Sequence, residues 1–121
     1  MAILRECRDG EVTYDELWFI CPGCAARGEG FNGLKSIPVS HAGRPITGTG
    51  SSKRPFWHWN GNLERPTLMP SILTVQPSDG FRCHSFLENG VVRFLSDCTH
   101  KFADQKVPIE PLPDYVIERW D

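Results

Sequence analysis

Short apolar segments separated by turn residues run along the whole chain. They are rich in β-branched and aromatic residues and lie at 17–20, 56–59, 71–75, 82–87, 91–95 and 115–120. Ten prolines and 11 glycines leave few windows for a helix of more than three turns. Short strands divided by turn signals are typical of all-β proteins. We therefore predict an all-β fold with a single domain over residues 1–121, built as an antiparallel sheet, sandwich or open barrel with long loops, one of them at 46–54.

The segment CHSFLENGVVRFLSDCTH, residues 83–100, has the pattern of one β-hairpin. Asn89-Gly90 fits a two-residue type I′ turn, because both central residues of that turn need positive φ. Side chains alternate between the two faces of a strand. In the I′ register the more apolar face carries Phe81, Cys83, Ser85, Leu87, Val92, Phe94 and Cys98, and the other face carries Arg82, His84, Phe86, Val91, Arg93, Leu95 and Asp97. The alternative, a type I turn with a bulge, would move His84 to the face of Cys98.

The segment FWHWNGN predicts a second strand and turn. Trp57 and Trp59 share one strand face, and Asn60-Gly61 repeats the type I′ signal. Two large aromatic side chains on one face are typical of the core of a small β-domain. The alternative is a stacking platform for nucleic-acid bases. His58, between the tryptophans, is expected to be exposed.

Charge and hydropathy exclude several classes of function. The 121 residues carry 13 Lys+Arg and 15 Asp+Glu, a net charge of −2, so nucleic-acid binding is not the expected main function. No apolar run approaches the roughly 18 residues of a membrane span. The N-terminus lacks the pattern of a signal peptide, so a cytoplasmic protein is expected. In that reducing compartment, the five cysteines are expected to be metal ligands or core residues and not disulfides.

The motif Cys21-Pro22-Gly23-Cys24 predicts a zinc knuckle, a turn that presents two thiolates to one ion. A redox motif would open a helix within a βαβ unit, but the following AARGEGFNG contains three glycines. The remaining alternative is a pair of buried cysteines in a tight turn. Zinc is therefore the predicted cofactor.

Two further zinc ligands are expected from the hairpin. The possible ligands are Cys83, His84, Cys98 and His100. Plain hairpin geometry favours Cys83 with Cys98, whereas a chain that curls back after the strand brings His100 into the place of Cys98. The remaining residues of this kind, Cys7 and His41, are expected to have no role in the site, Cys7 as a half-buried side chain.

Five blocks of the chain together resemble a family of small proteins found widely in tailed-phage and prophage genomes. The blocks are LWFICPGC (17–24), WHWNGN (57–62), RPTLMPSIL (65–73), CHSFLENGVVRFLSDCTH (83–100) and ADQKVPIEPLPD (103–114). Genome labels often name such proteins ammonia monooxygenases, which the residues do not support, since that enzyme lies in a membrane and uses copper. The resemblance implies a phage setting, with the host cytoplasm as location, and zinc, but no particular activity.

The resemblance also bears on the ligand set. In the family's pattern either cysteine or serine occupies the Cys98 position, which favours His100 as the fourth ligand. The predicted metal ligands are therefore Cys21, Cys24, Cys83 and His100, with Cys98 and His84 as reserves.

Three functions fit these features. The first is a zinc-stabilised accessory module that binds a host or phage protein, for instance to counter host defence. We rank it first because the surplus of thiolates suits a closed structural zinc site. The function ranked third, after the hydrolase described below, is single-stranded nucleic-acid binding through Trp57, Trp59, Lys53 and Arg54.

The second function is a small hydrolase. In its zinc-dependent form, three protein ligands leave one position for water, and Asp97 orients His84. In a metal-free form, Cys98 is the nucleophile and His84 or His100 is its base.

Overall fold

The computed structural model describes residues 2–9, 12–26, 33–42 and 56–112. The elements are β1 (Ile3–Asp9), β2 (Val12–Ile20), α1 (Pro22–Ala25), β3 (Leu34–Ser40), β4 (Trp57–Trp59), β5 (Leu68–Met69), β6 (Ile72–Gln76), β7 (Phe81–Glu88), β8 (Val91–Phe94) and β9 (Lys106–Pro108). The predicted loop at 46–54 and the apolar segment at 115–120 lie outside the described residues. Within the described ranges, no helix is long and apolar enough to cross a membrane.

The strands form two sheets around one core. The first has the order β1-β2-β3-β4-β5 and is antiparallel except for the parallel pair β3 and β4. The second has the order β6-β7-β8-β9 and is antiparallel throughout. The shared core contains Leu17, Phe19, Val39, Trp59 and Leu68 from the first sheet and Ile72, Phe81, Leu87, Val92 and Phe94 from the second. The predicted all-β fold is confirmed.

The hairpin of β7 and β8 has the type I′ register. Asn89 and Gly90 both have positive φ, 52° and 78°, and Ser85 pairs with Phe94. Alternate side chains of β7 are buried from Phe81 onward, and those between them are half-buried on the outer face. The bulged alternative is therefore wrong.

The second predicted turn is wrong. β4 and β5 are joined by residues 60–67, and Asn60 is not among the residues with positive φ, although Gly61 is, at 84°. The side-chain oxygen of Asn60 instead accepts hydrogen bonds from the backbone N–H groups of Asn62 and Thr67. The Asn-Gly pair thus stabilises a wider loop. The side-chain oxygen of the asparagine accepts hydrogen bonds that a backbone carbonyl would accept in a tight turn.

Both tryptophans of β4 belong to the core, as predicted. Trp59 is buried and Trp57 is half-buried against the same cluster, while His58 is exposed. Their indole N–H groups donate to backbone carbonyls, that of Trp59 to Asn62 at 3.2 Å and that of Trp57 to Ser71 at 3.2 Å. The described contacts therefore favour the core interpretation over a stacking platform.

A side chain at Gly90 is disfavoured for two separate reasons. Its φ is positive, and a Cβ atom there would lie 3.2 Å from Cα of Arg65. We expect Gly90→Ala to lower the free energy of unfolding by about 1–3 kcal/mol, because positive φ alone costs an L-residue about 1–2 kcal/mol. Gly80→Ala is the control: its φ is also positive, but nothing lies within 4 Å of its Cβ. Equal losses for both variants in urea denaturation would contradict the role of the Arg65 contact.

Candidate functional site

His84, on the outer face of β7, lies between a serine hydroxyl and a carboxylate. Its Nε2 is 3.1 Å from Oγ of Ser71, and its Nδ1 is 3.1 Å from Oδ2 of Asp97. A hydroxyl, an imidazole and a carboxylate in one hydrogen-bonded row form the arrangement that activates serine as a nucleophile. The chain order here is Ser, His, Asp. Such rows occur in several chain orders and are recognised by their geometry.

The pairing of β6 with β7 places Ser71 beside His84. Ser71 directly precedes β6, in which Leu73 pairs with His84. Residues two apart share a strand face, so Ser71 lies on the outer face together with Leu73. The indole of Trp57 donates to the carbonyl oxygen of Ser71, which ties the backbone of the serine to the core. The serine is thus held by a strand register and by a core tryptophan.

Asp97 is held by a second partner, Arg82. The guanidinium Nε donates to the same Oδ2 atom at 2.7 Å. This hydrogen bond lowers the pKa of Asp97, and the hydrogen bond with His84 lowers it further. The carboxylate therefore stays ionised, and it favours the tautomer of His84 whose proton is on Nδ1. Nε2 is then free to accept the proton of the Ser71 hydroxyl.

Cys98 contacts the backbone of His84 and not its ring. The thiol donates to the His84 carbonyl oxygen at 3.1 Å, and the sulfur accepts from the His84 N–H at 3.2 Å. The sequence proposed Cys98 as nucleophile with His84 or His100 as its base. The first pair is therefore not formed, whereas the Cys98 sulfur lies within 4.8 Å of a ring nitrogen of His100. The predicted pair of His84 with Asp97 is formed.

A group of sulfur atoms lies on the buried side of β7. The Sγ atoms of Cys21, Cys24 and Cys83 all lie within 4.8 Å of one another, and those of Cys21 and Cys83 are 3.9 Å apart. A second group contains Cys83, Cys98 and His100, with Nε2 of His100 3.3 Å from the Cys83 sulfur. Tetrahedral zinc with Zn–S bonds of about 2.3 Å separates its sulfurs by about 3.8 Å. Either group has donors and spacings that can hold a metal ion.

The knuckle is a single helical turn. Pro22 occupies the first position of α1, where a missing N–H costs nothing, and the N–H of Ala25 donates to the Cys21 carbonyl. Gly23 is required here by space: a Cβ atom would lie 2.4 Å from Nε2 of His100. The glycine of the motif therefore lets the His100 ring approach the knuckle.

The pKa values of the three thiols are shifted because the sulfur atoms lie close together. Hydrogen bonds from the thiols of Cys21 and Cys83 lower the pKa of Cys24. The pKa of Cys21 is raised, chiefly by its hydrogen bond to Cys24, and that of Cys83 is raised by its hydrogen bonds to both other thiols and by burial. The crowded thiols thus oppose the ionisation of one another, whereas a divalent cation would let all three ionise. Burial lowers the pKa of His100, which favours the neutral imidazole that binds metals.

The other predicted positions behave as follows. Cys7 is half-buried and its thiol donates to Oε1 of Glu16 at 3.2 Å, which confirms its expected burial. His41 is hydrogen-bonded to Asp15, with its Nε2 2.7 Å from Oδ2. His84, a reserve metal ligand, belongs to no cluster of metal-binding side chains in the described part of the chain.

An open cleft of about 540 Å³ lies next to the row of Ser71, His84 and Asp97. His84 and Asp97 form part of its wall. The other lining residues are Arg93, Phe94, Leu95, Ser96, Asp104 and Lys106. The histidine and the carboxylate are thus accessible from solvent.

Sequence reasoning missed Ser71. The only signals were its position as the first residue of a predicted strand and its parity with Leu73, and neither distinguishes it from other serines. The pairing of β6 with β7, which brings it to His84, is not encoded in any local motif.

A family model described as bacterial ubiquitination-like system serine protease (BubE) matches residues 3–95. The match includes Ser71 and His84 and ends shortly before Asp97. It does not bear on the phage setting that the sequence resemblance implies. No curated protein and no solved structure matches the chain.

The contact between Arg82 and Asp97 predicts a measurable titration. Replacing the guanidinium in Arg82→Gln should raise the pKa of Asp97 toward that of an ordinary aspartate, because the strongest stabilisation of its charge is lost. Carboxyl-carbon NMR titration measures this directly. Arg93→Gln is the matched control, since Arg93 lies on the same face but its Nε donates to Glu88. An unchanged pKa of Asp97 in Arg82→Gln would contradict the assignment.

Proposed function

The chain belongs to the BubE family, described as bacterial ubiquitination-like system serine proteases, and from that premise we propose that it is a serine hydrolase acting on a protein of such a system. The observation that carries the proposal is the hydrogen-bonded row of Ser71, His84 and Asp97. The protein partner expected from the sequence is, on this proposal, the substrate.

In the proposed reaction, Oγ of Ser71 attacks the carbonyl carbon of an amide bond while Nε2 of His84 takes the hydroxyl proton. The new C–O bond gives a tetrahedral intermediate. His84 then passes the proton to the leaving nitrogen, the C–N bond breaks, and an acyl ester remains on Ser71. Water, deprotonated by the same nitrogen, cleaves the ester and restores the serine. Asp97 keeps the imidazole oriented and stabilises its charged form throughout.

The metal cluster has a separate role in this proposal. Cys21, Cys24, Cys83 and His100 would hold a zinc ion, with Cys98 as the reserve ligand. Thiolate and imidazole are donors that zinc prefers, and a set of four closes the coordination sphere. When bound, the ion supplies a structural cross-link between α1 and β7 and no chemistry in the reaction.

Two features favour a hydrolase over the accessory binding module. The His84–Asp97 pair has a serine hydroxyl at its free nitrogen, which a purely structural pair does not need. His84 and Asp97 of the same row line an open cleft, whereas the sulfur atoms of Cys21 and Cys83 are buried. The closed metal cluster and the open row are thus distinct sites.

The nucleophile can be tested without knowing the substrate. A fluorophosphonate probe reacts with activated serines, so we expect it to label the wild-type protein at Ser71, as located by peptide mass spectrometry. Ser71→Ala should abolish labelling, and His84→Ala should slow it by about 10⁴-fold, because the base is lost. Ser78→Ala, an exposed serine beyond the end of β6, is the matched control and should label normally. A wild-type protein that stays unlabelled while correctly folded would refute the hydrolase and favour the binding module.

The metal proposal is tested by elemental analysis and thermal unfolding. The purified protein should contain about one zinc per chain. Cys83→Ala and Cys21→Ala should lose the metal and lower Tm by more than about 10 °C, since the free energy of metal binding is part of the folding free energy. Cys7→Ala and His58→Ala should retain metal, because both side chains lie outside the clusters. A Cys83→Ala variant with unchanged zinc content and Tm would contradict the shared site.

A further inference from the structure

We propose that the edge of β6 that has no strand neighbour among the described residues binds an extended segment of the substrate, with apolar substrate side chains at alternate positions packed beside Leu73 and Val75. This inference rests on the proposed function and names the class of segment that the serine acts on. It follows from the exposure, the register and the edge position of the strand that begins directly after Ser71.

The large apolar side chains with high exposure in the described ranges surround the serine. Met69 is 61% exposed, Leu73 49% and Val75 45%. All three lie within the short stretch that contains Ser71, one on its N-terminal side and two on its C-terminal side. Leu73 and Val75 are two residues apart and share a strand face, and neighbouring exposed apolar groups of this kind are typical of binding sites.

The register places this apolar surface against the catalytic row. Leu73 pairs with His84, and Val75 pairs with Arg82, the partner of Asp97. Cross-strand partners share a face, so Leu73 and Val75 point to the outer side of the sheet, where His84 and Arg82 also point. The apolar surface and the proposed active site are therefore continuous.

The edge of β6 offers backbone groups to an added strand. In the four-stranded sheet, β6 is the end strand, and among the described strands β7 is its only neighbour in that sheet. A free edge next to a functional site can bind an extended peptide by strand addition, in which main-chain hydrogen bonds give affinity and alternate side chains give specificity. An exposed apolar edge of this kind is otherwise an aggregation risk that proteins cover or charge.

This geometry predicts a pattern of apolar positions in the substrate segment. Leu73 and Val75 are two residues apart, so the side chains of an added strand that lie beside them are also two residues apart. Ser71 precedes β6, so the bond to be cut lies at the N-terminal end of the strand, with Met69 on the far side. The expected substrate segment has two apolar residues separated by one residue of any type, on one side of the cleaved bond.

Peptide aldehydes in competition with the fluorophosphonate probe test this. An aldehyde carbon bonds to Oγ of Ser71 while its oxygen takes the hydroxyl proton, so binding slows labelling. In the wild-type protein, tetrapeptide aldehydes with leucine or valine at the two alternate positions should compete at concentrations at least about tenfold lower than those with glutamate there. In the double variant Leu73→Glu, Val75→Glu the difference between the two aldehydes should vanish, each measured against that variant's own labelling by the probe alone.

The control is Gln76→Glu, which adds a charge to the same strand at an exposed position of opposite parity and should keep the preference. If the glutamate variants unfold, Leu73→Ser, Val75→Ser should give the same loss of preference. A double variant that is still labelled and retains the apolar preference overturns the inference and leaves the hydrolase intact. Absence of labelling in the wild type overturns both. A dimer of the wild type that the double variant dissociates, seen by light scattering, assigns the edge to a second copy and also overturns the inference.

Discussion

Successive side chains of β7 point to opposite sides of the sheet, and this alternation sends Cys83 into the core while His84 faces outward. The same change of side occurs after β8, where exposed Asp97 is followed by buried Cys98. The adjacent residues Cys83 and His84 therefore connect the sulfur cluster to the hydrogen-bonded row of Ser71, His84 and Asp97. The adjacent residues Asp97 and Cys98 do the same. The thiol of Cys98 strengthens the connection, because it bonds to both backbone groups of His84.

The sulfur cluster also joins the two sheets. Cys21 and Cys24 follow β2 of the first sheet, whereas Cys83 belongs to β7 of the second. An ion bound by these thiolates would fix β7 relative to the first sheet, and Trp57 of that sheet holds the backbone of Ser71. Serine and histidine are thus each anchored to the same sheet by different contacts. The proposed reaction needs these side chains held to a fraction of an ångström, and such anchoring would favour that precision.

The features that could be predicted from the sequence are those set by local rules. Turn chemistry at Asn89-Gly90 and period-two alternation sufficed for the hairpin register, for its buried face and for the pair of His84 with Asp97. Non-local pairing is the reason for the failures. β1 and β9 were not predicted, since the half-buried side chains of β1 give a weak pattern and β9 has only three residues. Ser71 carries no local signal, because its partner lies across a strand pair.

The chemistry-bearing residues of the hairpin led sequence reasoning to treat a structural metal and a hydrolase as competing explanations. That competition assumed one site, because Cys83, His84, Cys98 and His100 are close in sequence. A sheet has two faces, however, and strand parity assigns Cys83 to one and His84 to the other. Cys83, a donor that suits a closed metal site, is therefore buried. His84 lies on the outer face and contacts Ser71, which directly precedes the neighbouring strand. A structural metal and a reactive serine are therefore compatible in one small β-domain, since the same strand supports both.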